Sequence, residues 1–333
     1  NPGGLALGLL LALPSAAVYA ALIRLLDRYD PEPGWALACV FAWGAVFATG
    51  VSAAASSGTG PLVREVQGVL PERAAALVLG APFVEELTKG LAVAGLLAFL
   101  RREFDGAVDG VVYGTLAGIG FAAVENVVFF ARASAQGTEA LTFAFVLRSV
   151  LTPWTHPLYT SLTGLGLGIA REATRPAPRV VAPLATFVIA VALHALWNAG
   201  LVASGYAGVP LGALLFPLWV YLVATFVTLV LSLVERKGAL LRHYLEQEVA
   251  RGTLTADELA FVSRPWARGA ARRGPGGLTA RAFVRTAGRL AMAHWHADRA
   301  AREGSLSQSG ARLQPLRDHL AALRAQLPPQ ALR

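Results

Sequence analysis

Charge is scarce in this chain of 333 residues. Only 15% of them are Asp, Glu, Lys or Arg, whereas 55% are hydrophobic and the mean hydropathy is +0.52. Average soluble domains carry about a quarter charged residues, so this is the composition of a membrane protein. Cysteine is nearly absent. Cys39 stands alone, which excludes an internal disulfide and any cluster of cysteine ligands, and its apolar surroundings read as those of a small buried hydrophobe. Lysine is rare as well: Lys89 and Lys237 are the only two in an arginine-rich chain. No phosphate-binding loop, dinucleotide fingerprint or zinc-finger spacing appears, and no HExxH helix.

What charge there is lies unevenly. Residues 235–333 hold 17 Lys and Arg against 8 Asp and Glu, and the first 234 residues hold 12 against 13. The chain divides into a near-neutral apolar core, 1–234, and a basic tail, 235–333. Seven apolar runs have the roughly 20 residues that a helix needs to cross a bilayer. They lie near 5–26, 35–57, 74–100, 107–131, 141–170, 180–203 and 209–234. The expected fold is all-α: a polytopic bundle of seven helical spans, or eight if a further span precedes Asn1. Basic residues follow the odd-numbered runs (Arg24 and Arg28; Arg101 and Arg102; Arg171, Arg175 and Arg179; Arg236, Lys237 and Arg242), and the other connections are poorer in them. The positive-inside rule then places the tail in the cytoplasm. Within the tail, helical patterning falls near 239–250, 255–263, 279–301 and 312–326, with an arginine-rich, flexible linker near 264–278. His294 and His296 point to different faces of a helix and make a poor metal pair.

Ionisable residues inside the apolar runs are costly there and mark function or tight pairing. Glu85, Glu86 and Lys89 share one face of the third run, and two adjacent carboxylates cannot both ionise cheaply beside a single lysine. Such a pair suits a general base or a proton carrier. Pro82 starts or kinks the helix just before them. The fourth run carries Glu125 and Asn126, with Phe121 one turn earlier to pack beneath Glu125 and Gly114, Gly118 and Ala122 as a smooth stripe for a neighbouring helix. The fifth has His156, where Pro157 loosens the backbone, and the sixth has His194 and Asn198 on one face. At about 1.5 Å per residue, Glu85, Glu125, His156 and His194 fall within roughly 10 Å of one another in depth, in the outer half of the bilayer. Packing residues need not agree in depth; a shared site must.

The set Glu85-Glu86-x-x-Lys89, Phe121-x-x-x-Glu125-Asn126, His156-Pro157-x-Tyr159-Thr160 and His194-x-x-Trp197-Asn198 resembles the PrsW family of intramembrane proteases, with Asp109-Gly110 and Tyr113-Gly114 also in its pattern. The resemblance covers roughly residues 10–234. The family is distantly related to the CAAX prenyl endopeptidases and bacteriocin-processing enzymes, which usually carry His at the position of Glu125. It implies hydrolysis of a peptide bond in a membrane-anchored protein such as an anti-sigma factor, on the extracytoplasmic side. The implied partners are a single-span substrate and the lipid bilayer, with no nucleic acid.

The expected chemistry is a water activated by Glu85 or Glu86, with Lys89 holding one of them ionised. His156 and His194, with Glu125 as ligand or orienter, bind a metal, for which zinc is the candidate, or stabilise the oxyanion directly. Asn198 supplies an amide donor, and Asn126 supports Glu125. Two rivals use the same residues: a proton-coupled transporter, whose relays are built from such groups, and a non-catalytic scaffold for single-span proteins. No inverted repeat between halves supports the transporter.

Overall fold

The computed structural model describes residues 2–24, 29, 31–58, 72–207, 211–264, 266–302 and 310–332. Arg28, which enters the loop-charge argument, lies outside them. Every regular element among the described residues is helical. Contacts divide the chain into two compact units: residues 1–26 with 32–230, and residues 27–31 with 231–333.

In the first unit, α1 (Pro2–Ile23) precedes α2 (Gly34–Ala42), which continues through a π-helical stretch, Trp43–Ala48, into α3 (Thr49–Gly58). A short α4 (Glu72–Ala75) and a second π-helical stretch, Ala76–Gly80, lead into α5 (Ala81–Phe99). Then come α6 (Ala107–Ser134), α7 (Thr138–Phe145), a third π-helical stretch (Val146–Leu151), α8 (Thr155–Glu172) and α9 (Pro176–Ala207). The last helix of the core, α10 (Leu211–Ala250), runs on into the tail.

Among the described residues, five helices are long and apolar enough to cross a membrane. The third and fifth expected spans are the two that differ. The third is α5 with the π-helical turns before it, and Glu85, Glu86 and Lys89 dilute its hydropathy. The fifth is not one helix. It breaks at Thr152–Trp154, between the π-helical stretch and α8. The break falls ahead of Pro157, which sits in the first turn of α8, where no backbone N–H is needed. Pro153, in the break itself, cannot continue a helix ladder, and Thr152 instead returns its N–H and hydroxyl to the Leu147 carbonyl.

Helix α6 is the centre of the unit. Its most apolar window is 89% inside protein, against 11% for α9, whose Val180, Val181, Leu184 and Val188 face outward as lipid-contacting side chains would. Small residues let neighbours reach α6. A Cβ on Gly114 would lie 2.6 Å from the Thr160 carbonyl oxygen, and one on Gly118 would lie 2.7 Å from that of His156. The expected stripe therefore brings α8, with His156, against α6, with Glu125. Cys39 departs from expectation: it is exposed on the outer side of α2, because a small apolar thiol costs nothing where the surroundings are apolar.

The tail unit contains the rest of α10, then α11 (Ala256–Val262), α12 (Ala267–Arg273), α13 (Gly277–Arg302) and α14 (Leu313–Ala325). Thr255 and Glu258 form a capping box at the start of α11. The stretch near 264–278 is not an open linker, since α12 occupies it and packs on α13, with Ala267 and Ala271 buried. Arginine content suggested a linker; alanines one turn apart supply the apolar face that composition concealed. Buried Glu248 accepts from His294 Nε2 at 2.7 Å and from Arg317 Nη2 at 2.7 Å, and the bond from Arg317 raises its guanidinium above the ordinary value. No metal-type group among the described residues includes His294 or His296.

The α6–α8 approach gives a direct test. Gly114→Val should lower thermal stability in detergent by about 1–3 kcal/mol, the usual cost of overpacking. Gly95→Ala, at a site with nothing within 4 Å, should leave the melting temperature unchanged or raise it.

Candidate active site

Four helices bring the intramembrane polar residues to one place. Helix α5 starts with Pro82 in its first turn, as the sequence suggests, and turns Glu86 and Lys89 fully inward. The Lys89 ammonium donates to Glu86 Oε1 at 2.6 Å and lies 3.8 Å from Glu85 Oε2. It also stands 3.3 Å from His156 Nδ1 and 4.4 Å from the centroid of the Phe121 ring. Phe121 thus packs against Lys89 and the His156 ring rather than serving Glu125 alone.

Each histidine has one ring nitrogen fixed by a carboxylate. His194 Nδ1 meets Glu86 Oε1 at 3.0 Å, and His156 Nε2 meets Glu125 Oε2 at 2.9 Å. With those nitrogens donating, the lone pairs fall on His194 Nε2 and His156 Nδ1. These two atoms lie 3.8 and 3.9 Å from Glu85 Oε2. Glu85 Oε2 is buried and makes no hydrogen bond. The rings stand edge to face, with centroids 5.1 Å apart, and Tyr159 stacks on His194.

Two imidazole nitrogens and a carboxylate oxygen without a hydrogen bond, mutually within 4.8 Å, could hold a metal ion once the Lys89 ammonium turns away from His156 Nδ1. A tetrahedral ion with bonds of about 2.0–2.1 Å sets its ligands about 3.4 Å apart, so this group needs only slight contraction. The imidazoles already have the carboxylate partners that orient metal-bound histidines. Of the expected ligands His156, His194 and Glu125, the histidines are in the group and Glu85 takes the third place. Glu125 is drawn off by Arg148, whose Nη2 donates to Glu125 Oε2 and whose Nε donates to Asn126 Oδ1 at 2.6 Å.

Arg148 is the site residue that the sequence reading missed. It lies in the π-helical stretch before α8 and stacks on Phe129. The signal was available: Arg148 is a charge inside an apolar run, in the same way as Glu125. A cavity of about 260 Å³ opens onto Glu85, Glu125, Arg148, His156, His194 and Asn198. Glu86 does not line it. Its Oε1 is engaged by Lys89 and His194, and its Oε2 accepts from the Thr160 hydroxyl at 2.9 Å. Asn198 lines the cavity but gives one amide hydrogen to the Leu77 carbonyl at 2.9 Å, not to His194.

Residues 32–232 match the model of the PrsW family, described as intramembrane metalloproteases. This chain belongs to that family. Two curated relatives carry the name Protease PrsW. The one from Geobacillus kaustophilus is 28% identical over 157 residues, 47% of this chain and 65% of that protein. The one from Oceanobacillus iheyensis is 29% identical over 100 residues, 30% of this chain and 42% of that protein. The match thus spans less than two thirds of either relative's length. No solved structure matches the chain. The PrsW-matched stretch contains every residue of the cavity named above and ends at residue 232, two residues into the second unit.

The two shells around the histidines should separate in metal titrations. Loss of a candidate ligand, in Glu85→Ala or His194→Ala, should abolish stoichiometric metal retention after dialysis. Glu86→Gln, which reaches the metal group through His194 and Lys89 rather than as a ligand, should weaken affinity about 10–100-fold. Metal content of the purified protein measures both.

Proposed function

We propose that this chain is an intramembrane endopeptidase that hydrolyses a peptide bond of a single-span membrane protein. One observation carries the reading: Glu85, His156 and His194 converge from three helices on one cavity, with an orphaned carboxylate oxygen among them. That oxygen is buried without a hydrogen bond beside two imidazoles, and hydrolysis is the chemistry such a group suits.

Glu85, His156 and His194 would hold the metal, which when bound supplies a Lewis acid for the scissile carbonyl and activates water. Glu125 is the remaining carboxylate of the cavity, and it takes the proton from the attacking water and returns it to the leaving amine. Arg148 and the His156 Nε2–H hold the Glu125 carboxylate in position for both transfers. An amide NH₂ has two donors, and Asn198 uses one on Leu77, so its second serves the developing oxyanion. Glu86, Lys89 and Thr160 act from behind: they keep the His194 ring oriented and one lysine charge matched to one carboxylate. Glu86 therefore acts by positioning, not as the base. The apolar walls, including Leu77, Phe129 and Trp197, limit bulk water.

Family resemblance suggests a regulator of the anti-sigma type as substrate, cut on the extracytoplasmic side, and the positive-inside pattern suggests a cytoplasmic tail. The test is cleavage of a single-span protein by the purified enzyme in detergent. Glu125→Gln should lower the cleavage rate about 10²–10⁴-fold while zinc retention persists. Proton-coupled flux in liposomes with no cleavage of any single-span protein would establish the transporter instead.

A further inference from the structure

The tail unit has an unbalanced surface. Residues 264–297 include seven arginines and no aspartate or glutamate. On α12, buried Ala267 and Ala271 face inward, and Arg272 and Arg273 are exposed. On α13, Phe283, Val284 and Ala287 are buried, whereas Arg281, Arg285 and Arg289 recur every four residues and are all exposed. That spacing sets them in a row along one side of the helix. The arginines that follow are used differently: Arg302 pairs with Asp298, Arg317 with Glu248 and Arg324 with Glu258.

Two large apolar side chains accompany this basic surface. Trp266 is 58% exposed and Leu278 is 73% exposed, and no other large hydrophobic of residues 235–332 is exposed among those described. They bracket α12, the helix that ends in Arg272 and Arg273. Tryptophan and leucine gain by entering the boundary between water and acyl chains, and guanidinium groups pair well with phosphate. Helix α10 joins this unit covalently to an apolar stretch long enough to span a membrane, so the effective concentration of bilayer around it is high.

We propose that the arginine surface of α12 and α13, with Trp266 and Leu278 as its apolar wedge, binds the phosphate head groups of an anionic bilayer. Each arginine near such a surface adds attraction that salt screens, and the apolar pair adds a contribution that salt does not weaken. A duplex nucleic acid would use the arginines and leave the apolar pair exposed, which is why a bilayer fits better.

The full chain tests this in lipid nanodiscs. With Cys39→Ala as background, Leu278→Cys carries an environment-sensitive fluorophore, and the acyl chains carry a quencher. Quenching should be strong in discs of phosphatidylcholine and phosphatidylglycerol in equal parts, weak in phosphatidylcholine alone, and reduced by salt. The triple change Arg281→Gln, Arg285→Gln, Arg289→Gln should reduce the preference for anionic discs roughly a hundredfold. Arg272→Gln with Arg273→Gln reads the other helix independently, should the triple variant melt early. Equal quenching in both discs, quenching in neither, or release of the label by a stoichiometric DNA duplex would overturn the proposal.

Discussion

A charge in an apolar medium needs a partner, and the core of this protein is arranged around that requirement. One chain of contacts runs from His194 through Glu86, Lys89, His156 and Glu125 to Arg148 and Asn126. It crosses four helices and holds two carboxylates, Glu86 and Glu125, against two permanent cations, Lys89 and Arg148. Glu85 stands beside that chain, its Oε2 buried without a hydrogen bond. That oxygen is what a bound cation would satisfy. Removing any inner member leaves another charge unmatched, so the same contacts that hold the helices together also shape the site.

Backbone irregularity surrounds this network. Two π-helical stretches, Ala76–Gly80 and Val146–Leu151, precede α5 and α8 and supply Leu77 and Arg148 to the cavity. Each extra residue in a turn re-aims the side chains that follow, which is why such stretches recur at functional sites. The break at Thr152–Trp154 releases α8 from the direction of the helix before it and lets His156 begin a new first turn. Close contact of α6 with α8 at Gly114 and Gly118 then fixes the separation of Glu125 from His156.

Much of this was legible in order along the chain. Glu85, Glu86, Lys89, Glu125, His156 and His194 stand out because water-seeking groups are rare in apolar runs. The stripe at Gly114 and Gly118 announced a close neighbour. Arg148 is harder to pick out because arginines elsewhere in the chain mark the ends of the runs, although its own run is apolar on both sides. Helix α12 was hidden for the opposite reason: its many arginines masked the two alanines that pack it. The exchange of Glu125 for Glu85 among the metal candidates could not be foreseen, since it depends on where Arg148 reaches.

By itself, the sequence determined that the protein is helical, that it is built for a membrane, and which side chains must share a protected place. Period, length and the cost of burying charge suffice for that. Only the tertiary structure decided which atom faces which. The division of labour between adjacent Glu85 and Glu86, one opening to the cavity and the other enclosed by Lys89, His194 and Thr160, turns on about 100° of rotation around a single helix axis. That angle is set by the packing of α5 against α6, α8 and α9, through contacts between residues far apart in the chain.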